Sequence, residues 1–140
     1  MTAPWLPDVA PQTYAVAHNR DVVHIRQAVR VLAQQCRLSL VDQTKMITAA
    51  SELARNTLVY GGGGTATTGL VRKAGRQGVA AVFADEGPGI PDVDLAMTDG
   101  WTSGGGMGLG LSGTRRLVDE FELVTETGVG TTVTIIKWGR

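Results

Sequence analysis

Two side chains four residues apart, Glu52 and Asn56, are the first candidates for chemistry in this sequence. They lie in the string SELARN at residues 51–56, where the apolar spacing predicts a helix, so both side chains share one helical face. An Asn oxygen is a suitable ligand for Mg²⁺, and a Glu carboxylate can accept a proton. An ordinary solvated Glu beside a polar helix-end Asn fits the same spacing, so the pair needs support from other motifs.

A second motif is DEGPGIPD at residues 85–92, which follows an apolar stretch that predicts a strand. Asp85 then lies at the end of that strand, where its carboxylate can accept a hydrogen bond from an amine such as the exocyclic amine of adenine. Gly87 and Gly89 permit positive φ angles or the close approach of a ligand. A β-turn in which Asp85 accepts from its own backbone is the alternative interpretation.

The third motif, GGGMGLGLSG at residues 104–113, leads directly into a predicted helix. Its backbone amides, together with a helix N-terminus, favour an anion such as phosphate, although a flexible surface linker is the alternative. Gly108, Gly110 and Gly113 match GxGxxG, but no apolar strand precedes them, which argues against a dinucleotide-binding fold. No Lys or Arg occurs between Asp92 and Met107, so we expect phosphate contacts here from backbone amides and a metal ion.

The composition narrows the class of protein that these motifs belong to. The 140 residues are 43% hydrophobic and carry 13 basic and 13 acidic side chains, which is typical of one globular domain and not of a nucleic-acid-binding protein. Cys36 is the one cysteine, which excludes an intramolecular disulfide and a multi-cysteine metal site. No apolar run reaches the roughly 18 residues of a membrane span, and no signal peptide is recognisable. We therefore expect a cytoplasmic protein that does not contact membranes.

The elements that must position the three motifs follow from hydrophobic periodicity and turn residues. The predicted elements are a strand at 13–17, helices from about 19 to 36 and 39 to 60, a hairpin of 65–74 and 79–85, a helix at 109–120 and a hairpin of 121–127 and 131–138. This order predicts a two-layer α/β sandwich whose mixed, mostly antiparallel sheet is covered on one face by helices. Residues 1–12 are expected to be a flexible lead-in, with Trp5 as an anchor, and residues 13–140 a single domain.

The three motifs occur in one order along the chain, and in that order the sequence resembles the GHKL ATP-binding family. Its N, G1 and G2 boxes are similar to SELARN, DEGPGI and GGGMGLGL. Within that family the chain most resembles the RsbT-type switch serine/threonine kinases, relatives of the anti-sigma-factor kinases. The strings VDQTKMITAASELARN, ADEGPGIPD, GLGLSGTRRLVDEF and TIIKW carry this likeness over residues 13–138. The fold that the resemblance implies is the Bergerat sandwich.

The resemblance also implies a role for each matching residue. Glu52 would be the catalytic base, and Asn56 would coordinate the Mg²⁺ that bridges the phosphates of ATP. Asp85 would bind the adenine amino group, and Thr131 would lie near the adenine. The remaining nucleotide-binding positions would be Gly87, Gly89 and Ile90 around the base and Gly104, Gly105, Gly106, Met107, Gly108, Leu109 and Gly110 in a lid over the phosphates.

The implied activity is transfer of the ATP γ-phosphoryl group to a STAS-domain antagonist protein in a bacterial stress-signalling partner switch. An alternative is a nucleotide-gated binding module that sequesters a sigma factor or activates a PP2C-type phosphatase. An ATPase fragment of a larger machine is less well supported, because the sequence contains all three of the N, G1 and G2 boxes but no transducer domain. A histidine kinase is disfavoured, because neither His18 nor His24 lies in an acid-rich acceptor motif.

Overall fold

The computed structural model describes residues 3–98 and 110–139 as an α/β sandwich. Five strands lie within these ranges: β1 (Gln12–Val16), β2 (Gly64–Lys73), β3 (Arg76–Asp85), β4 (Glu120–Glu126) and β5 (Gly130–Trp138). The helices are α1 (Asn19–Gln35), α2 (Leu40–Val59), the short α3 (Val93–Ala96) and α4 (Leu111–Leu117). None of these helices is long and apolar enough to cross a bilayer.

The strands form one sheet in the order β1-β2-β3-β5-β4. All four neighbouring pairs are antiparallel, so the described strands show none of the parallel pairing that a mixed sheet would contain. The predicted fold class, a sheet with helices on one face, is confirmed. Because β5 lies between β3 and β4, the end of β3 is next to the start of β5, and Asp85 is paired with Thr131.

The core lies between the sheet and the helices α1 and α2. Each helix buries a stripe at three- and four-residue spacing, which is the pattern of an amphipathic helix packed on one side. The fully buried side chains Ile25 of α1 and Met46 and Leu53 of α2 meet Ile135 of β5. Ala49 and Ala50 are also fully buried in α2. Their small side chains allow α2 to pack closely in this layer, which places the side chains of its C-terminal half near the sheet.

The two long helices begin at capping interactions that the sequence pattern contains. Ser39 Oγ accepts a hydrogen bond from the Asp42 amide at 3.1 Å, which starts α2 as predicted. At the start of α1, Asp21 Oδ2 accepts from the amides of Ala17 and His18, each at 2.9 Å. These two backbone donors stabilise the carboxylate and hold the pKa of Asp21 below its ordinary value.

The N-terminal segment is hydrogen-bonded to β2 at the edge of the sheet, and the side chains of Ala3 and Trp5 pack on the sheet face opposite the helices. Trp5 forms a bridge with Val71, and the Leu6 amide donates to the Leu70 carbonyl at 3.0 Å. Ala3 is 5% exposed and lies in a small apolar cluster with Trp5, Val71, Ala80, Ile136 and Trp138. The described part of the predicted lead-in therefore borders β2 and contributes Ala3 and Trp5 to this cluster, and Gln12 already belongs to β1.

Two local features differ from the sequence expectations. The β2–β3 turn consists of Ala74 and Gly75, with φ values of 52° and 77°, and not of four residues. Gly78, assigned to that turn, lies inside β3, where a Cβ would come 2.5 Å from the Lys137 carbonyl oxygen. No helix or strand was predicted between residues 85 and 109, yet Asp92 Oδ1 accepts from the Leu95 amide at 3.0 Å and starts α3. A single helical turn has no periodicity for a sequence pattern to show.

Candidate functional site

A cavity of about 200 Å³ lies where the C-terminal half of α2 meets the ends of β3 and β5. Its walls are mostly apolar, and three of the side chains that line it are Asn56 from α2, Asp85 from β3 and Thr131 from β5. The other lining residues are Leu53, Thr57, Tyr60, Gly61, Phe83, Pro88, Gly89, Ile90, Pro91, Leu111 and Val133. A mostly apolar pocket with a few convergent polar groups is typical of a small-molecule binding site.

Asp85 is held at the cavity by its own loop and by a glycine at the end of α2. Its Oδ1 accepts a hydrogen bond from the Gly87 amide at 2.9 Å. The Gly61 amide donates to the Asn56 carbonyl at 3.1 Å, which brings Gly61 against the carboxyl group. A Cβ on Gly61 would lie 2.5 Å from Asp85 Cγ, so only glycine leaves the carboxylate in this position.

The loop after β3 forms the wall of the cavity through close backbone packing. Gly89 has a φ of +76°, and a Cβ there would lie 2.5 Å from the Glu126 carbonyl oxygen. The Gly128 amide donates to the Pro88 carbonyl at 2.8 Å, which fastens the loop to the β4–β5 hairpin. Ile90 can therefore contribute an apolar side chain to the wall beside Asp85.

Glu52 lies one helical turn before Asn56 on α2 but is not among the described residues that line the cavity. Its side chain is 33% exposed, and its Oε2 lies 3.8 Å from Arg55 Nη1. It also packs against Gly110, where α4 begins with a φ of +67°, and a Cβ on Gly110 would come 2.8 Å from Glu52 Cγ. The carboxylate thus lies where α2 meets Gly110, the last of the predicted phosphate-binding residues.

The structure brings together most of the predicted site residues that it describes. Asn56, Asp85, Gly89, Ile90 and Thr131 line one cavity. Gly87 supports Asp85 from behind, and a Cβ on it would lie 2.8 Å from the Gly61 Cα. The predicted positions Gly104, Gly105, Gly106, Met107, Gly108 and Leu109 lie outside the described residues, whereas Gly110 contacts Glu52.

The sequence predicted Ile90 but missed the other apolar residues of the cavity and Gly61. Leu53, Phe83, Leu111 and Val133 have the spacing of ordinary core positions, so nothing in the sequence separates a cavity wall from the core. Gly61 could have been recognised in the sequence, because it is the first of four consecutive glycines directly after the helix that contains Asn56. A helix needs at most one glycine to end, so such a run favours close backbone approach.

The arrangement suits a flat, largely apolar ring that carries a hydrogen-bond donor. Phe83 and Ile90 supply apolar walls, while Asp85 supplies an acceptor. Among the described residues no group of three His, Cys, Asp or Glu side chains lies together as a metal site. A divalent cation would therefore take one oxygen from Asn56 and most of its ligands from a bound phosphate compound and water, which is the usual coordination of Mg²⁺.

Comparison of the sequence with known families and proteins finds two relationships. The family of histidine kinase-, DNA gyrase B- and HSP90-like ATPases matches residues 41–138. The serine/threonine-protein kinase RsbT of Bacillus subtilis (strain 168) is 43% identical over 120 residues, which cover 86% of this chain and 90% of RsbT. The matched range includes Asn56, Asp85 and Thr131, all of which line the cavity.

Two solved structures have the same fold at low sequence identity. A structure of the RsbU and RsbW domains of a Mycobacterium tuberculosis protein has a TM-score of 0.61 at 18% identity. The match covers 94% of this chain but 33% of that one, so this chain corresponds to about a third of that protein. The catalytic domain of the histidine kinase ThkA has a TM-score of 0.53 at 14% identity, and the match covers 95% of that domain.

Proposed function

We propose, from the premise that this chain belongs to the family of histidine kinase-, DNA gyrase B- and HSP90-like ATPases, that it is an ATP-dependent serine/threonine protein kinase. The likeness to RsbT, at 43% identity over most of both chains, supports this activity over the other activities found in the family. The observation that carries the proposal is the cavity in which Asn56, Asp85 and Thr131 converge, with Glu52 one helical turn away.

The adenine ring of ATP fits the apolar part of the cavity. Its exocyclic amine donates to Asp85, whose other hydrogen-bond partner, the Gly87 amide, holds the carboxylate in place. Phe83 and Ile90 exclude water from the faces of the ring. The hydrogen bond between the amine and Asp85 is then shielded from water. A base without this amine would leave Asp85 unpaired at a cost in free energy, so it binds less well.

The phosphates extend from the cavity toward Asn56 and the start of α4. Asn56 would hold Mg²⁺ through its side-chain oxygen, and the ion would supply positive charge that stabilises the phosphate oxygens. The glycine-rich residues 104–110 contribute backbone amides to the phosphates in this proposal. That segment ends at Gly110, which already contacts Glu52, so phosphate binding and the catalytic carboxylate meet at one point.

Glu52 acts as the general base in this mechanism. It accepts the proton of a serine or threonine hydroxyl while the hydroxyl oxygen forms a bond to the γ-phosphorus. The bond between that phosphorus and the bridging oxygen breaks, and ADP leaves with the bond electrons. The partial exposure of Glu52 suits this role, since a base that serves a protein substrate must be reachable from outside the nucleotide cavity.

The acceptor that we propose is a STAS-domain regulatory protein of a cytoplasmic partner switch, with a PP2C-type phosphatase or a sigma factor as the output partner. This rests on the likeness to RsbT-type kinases. Incubation of the purified protein with labelled Mg·ATP and candidate STAS proteins tests it directly. We expect label on a serine or threonine of one of them. Tight binding of a STAS protein without transfer would instead support the nucleotide-gated binding module.

A further inference from the structure

The hydroxyl of Thr125 in β4 makes a polar connection next to the cavity that the proposed mechanism does not use. It is half-buried and is paired across the strands with Thr131, which does line the cavity. The two hydroxyl oxygens lie 2.8 Å apart. Thr125 Oγ1 also accepts a hydrogen bond from the Ile90 amide at 2.9 Å and lies 3.2 Å from the Gly130 carbonyl oxygen. One hydroxyl thus joins the loop after β3 to the hairpin.

The hydroxyl hydrogens of Thr125 and Thr131 can be placed in two ways, and each gives a different set of hydrogen bonds. A hydroxyl has one hydrogen and two lone pairs, and the Ile90 amide already occupies one lone pair of Thr125. In the first arrangement Thr125 donates to the Gly130 carbonyl and accepts from Thr131, so Thr131 presents only lone pairs to the cavity. In the second, Thr125 donates to Thr131, whose own hydrogen then points elsewhere and is available to a ligand.

The distances favour the second arrangement once a ligand offers an acceptor. A change from the first arrangement to the second gives up only the 3.2 Å hydrogen bond from Thr125 to the Gly130 carbonyl. This is the longest of the three hydrogen bonds of Thr125 and is close to the limit for a hydroxyl donor. It keeps the 2.8 Å bond between the two threonines, which is an ordinary length for two hydroxyls. A hydroxyl that accepts one hydrogen bond also becomes a stronger donor in the next.

Asp85 and Thr131 are paired across β3 and β5, so their side chains are neighbours on one sheet face. In the second arrangement the cavity offers an acceptor from Asp85 beside a donor from Thr131. The edge of adenine offers the matching pair, an amine donor next to a ring-nitrogen acceptor. Hypoxanthine offers the opposite pair at the same edge, a carbonyl acceptor and a ring N–H donor.

We propose that Thr125 is a positioning residue that orients the Thr131 hydroxyl as a donor and thereby sets the preference of the cavity for adenine over hypoxanthine or guanine. This inference rests on the proposed nucleotide-binding function and adds to it a residue outside the cavity. The loop is also fastened by the hydrogen bond from the Gly128 amide to the Pro88 carbonyl, so removal of the Thr125 hydroxyl leaves a second attachment in place.

The test is a comparison of ADP and IDP binding by calorimetry in wild type, Thr125→Val, Thr125→Ser and Thr131→Val. Valine keeps the β-branched shape of threonine but removes the hydroxyl. We expect Thr125→Val to reduce the ratio of ADP to IDP affinity about 3- to 10-fold, the usual value of one hydrogen bond. Thr125→Ser should retain the wild-type ratio. In the Thr125→Val background, Thr131→Val should have a smaller effect than it has alone.

Thr132→Val is the matched control, because Thr132 is paired with Val124 at the next position of the same strand pair. It should leave the ratio unchanged. A purely structural role for Thr125 would lower the affinities for ADP and IDP equally, and an unchanged ratio in Thr125→Val would overturn the inference. Absence of ADP binding by the wild type would overturn the proposed function itself. ADP binding that Asp85→Asn weakens and Thr125→Val does not would overturn only the role of Thr125.

Discussion

Asn56 of α2 and Asp85 of β3 line the same cavity. Substitution of the two residues should have different consequences, because they contact different parts of the proposed complex. Asp85 contacts the base in the proposed complex, whereas Asn56 contacts the metal. Neither effect needs a change of fold, since both side chains lie at the cavity and not in the fully buried core.

Asp85→Asn should weaken ADP binding and reduce the preference for adenine. The substitution turns a pure acceptor into an amide whose NH₂ group can face the amine of the base. We expect a loss of about 10-fold or more in affinity, in line with the loss of one charged hydrogen bond. Calorimetry with ADP and GDP measures both quantities, and an unchanged adenine preference would remove Asp85 from base recognition.

Asn56→Ala should abolish most of the Mg²⁺ dependence of nucleotide affinity. The side-chain oxygen is the one ligand from the described protein residues that we assign to the ion. Titration of ADP with and without Mg²⁺ compares the two states directly. If wild type binds ADP equally well without the metal, or if Asn56→Ala binds Mg·ADP as wild type does, the metal role of Asn56 is wrong.

At the scale of single residues, much of the site could be predicted from the sequence, because its polar residues have recognisable spacing. Glu52 and Asn56 are one helical turn apart, and Asp85 directly ends an apolar strand. The apolar lining could not be predicted, because Phe83 or Val133 alternates along its strand as any core residue does. Thr125 could not be found either, because the predicted hairpin gives neither the register that pairs Thr125 with Thr131 nor the hydrogen bond from the Ile90 amide.

At the scale of elements, the contact between the end of α2 and the end of β3 forms the cavity. Gly61 lies at that contact, where a Cβ would come 2.5 Å from Asp85 Cγ and 2.6 Å from the Thr57 carbonyl oxygen. The backbone oxygen belongs to α2 and cannot move independently of the helix. A larger residue must therefore displace either the Asp85 side chain or the helix end.

Gly61→Ala should reduce ADP affinity at least 10-fold and lower the free energy of unfolding by about 1–3 kcal/mol, the usual cost of overpacking. Gly113→Ala in α4 is the matched control, since none of the residues that the structure describes lies within 4 Å of the Cβ it would add. That variant should be neutral or slightly more stable, because alanine favours a helix. Urea denaturation and calorimetry measure both effects, and wild-type ADP affinity in Gly61→Ala would contradict the account of this contact.

The elements themselves could be predicted where periodicity extends over several turns or residues. The helices α1 and α2 and the final hairpin lie within a few residues of their predicted bounds. The β2–β3 turn was predicted too long, because Ala74 adopts a positive φ that alanine rarely takes. The helix predicted to extend to residue 120 ends at Leu117, since Glu120 already pairs with Ile136 in the sheet.

At the scale of the whole molecule, an ion cluster around the buried Lys137 side chain joins the helical layer to the sheet. Lys137 of β5 is 6% exposed, and its Nζ lies 3.6 Å from Asp42 Oδ1 at the start of α2 and 3.3 Å from Asp119 Oδ1 before β4. Asp119 Oδ2 also accepts from the Trp138 amide at 2.7 Å. The cluster lies at the opposite end of α2 from Asn56.

Lys137→Met should lower the free energy of unfolding by about 3–5 kcal/mol, because it removes the cation that faces the buried carboxylate of Asp42. Lys73→Met, at an exposed position near the β2–β3 turn, is the control and should change it by less than about 0.5 kcal/mol. Urea denaturation gives both values. The folded fraction of Lys137→Met should still bind ADP, and a selective loss of binding without loss of stability would contradict a purely structural cluster.

The general fold was predictable because element order alone restricts the ways in which five strands and two long helices can be layered. The strand order was not, since nothing local in the sequence places β5 between β3 and β4. That order matters for function, because it brings Thr131 next to Asp85 and both of them toward Asn56. In the proposed complex, base binding in the cavity is thus separated from the partly exposed carboxylate of Glu52.

The measurement that tests the central claim most directly is the rate of phosphoryl transfer by Glu52→Ala at saturating Mg·ATP, together with its affinity for ADP. We predict a rate about 10²- to 10⁴-fold below wild type with an affinity close to wild type, because the base acts on the acceptor hydroxyl and not on the nucleotide. A thermal melt of the same sample checks that the variant is folded. Transfer by Glu52→Ala at the wild-type rate would contradict the assignment of this site as a kinase active site with Glu52 as its base.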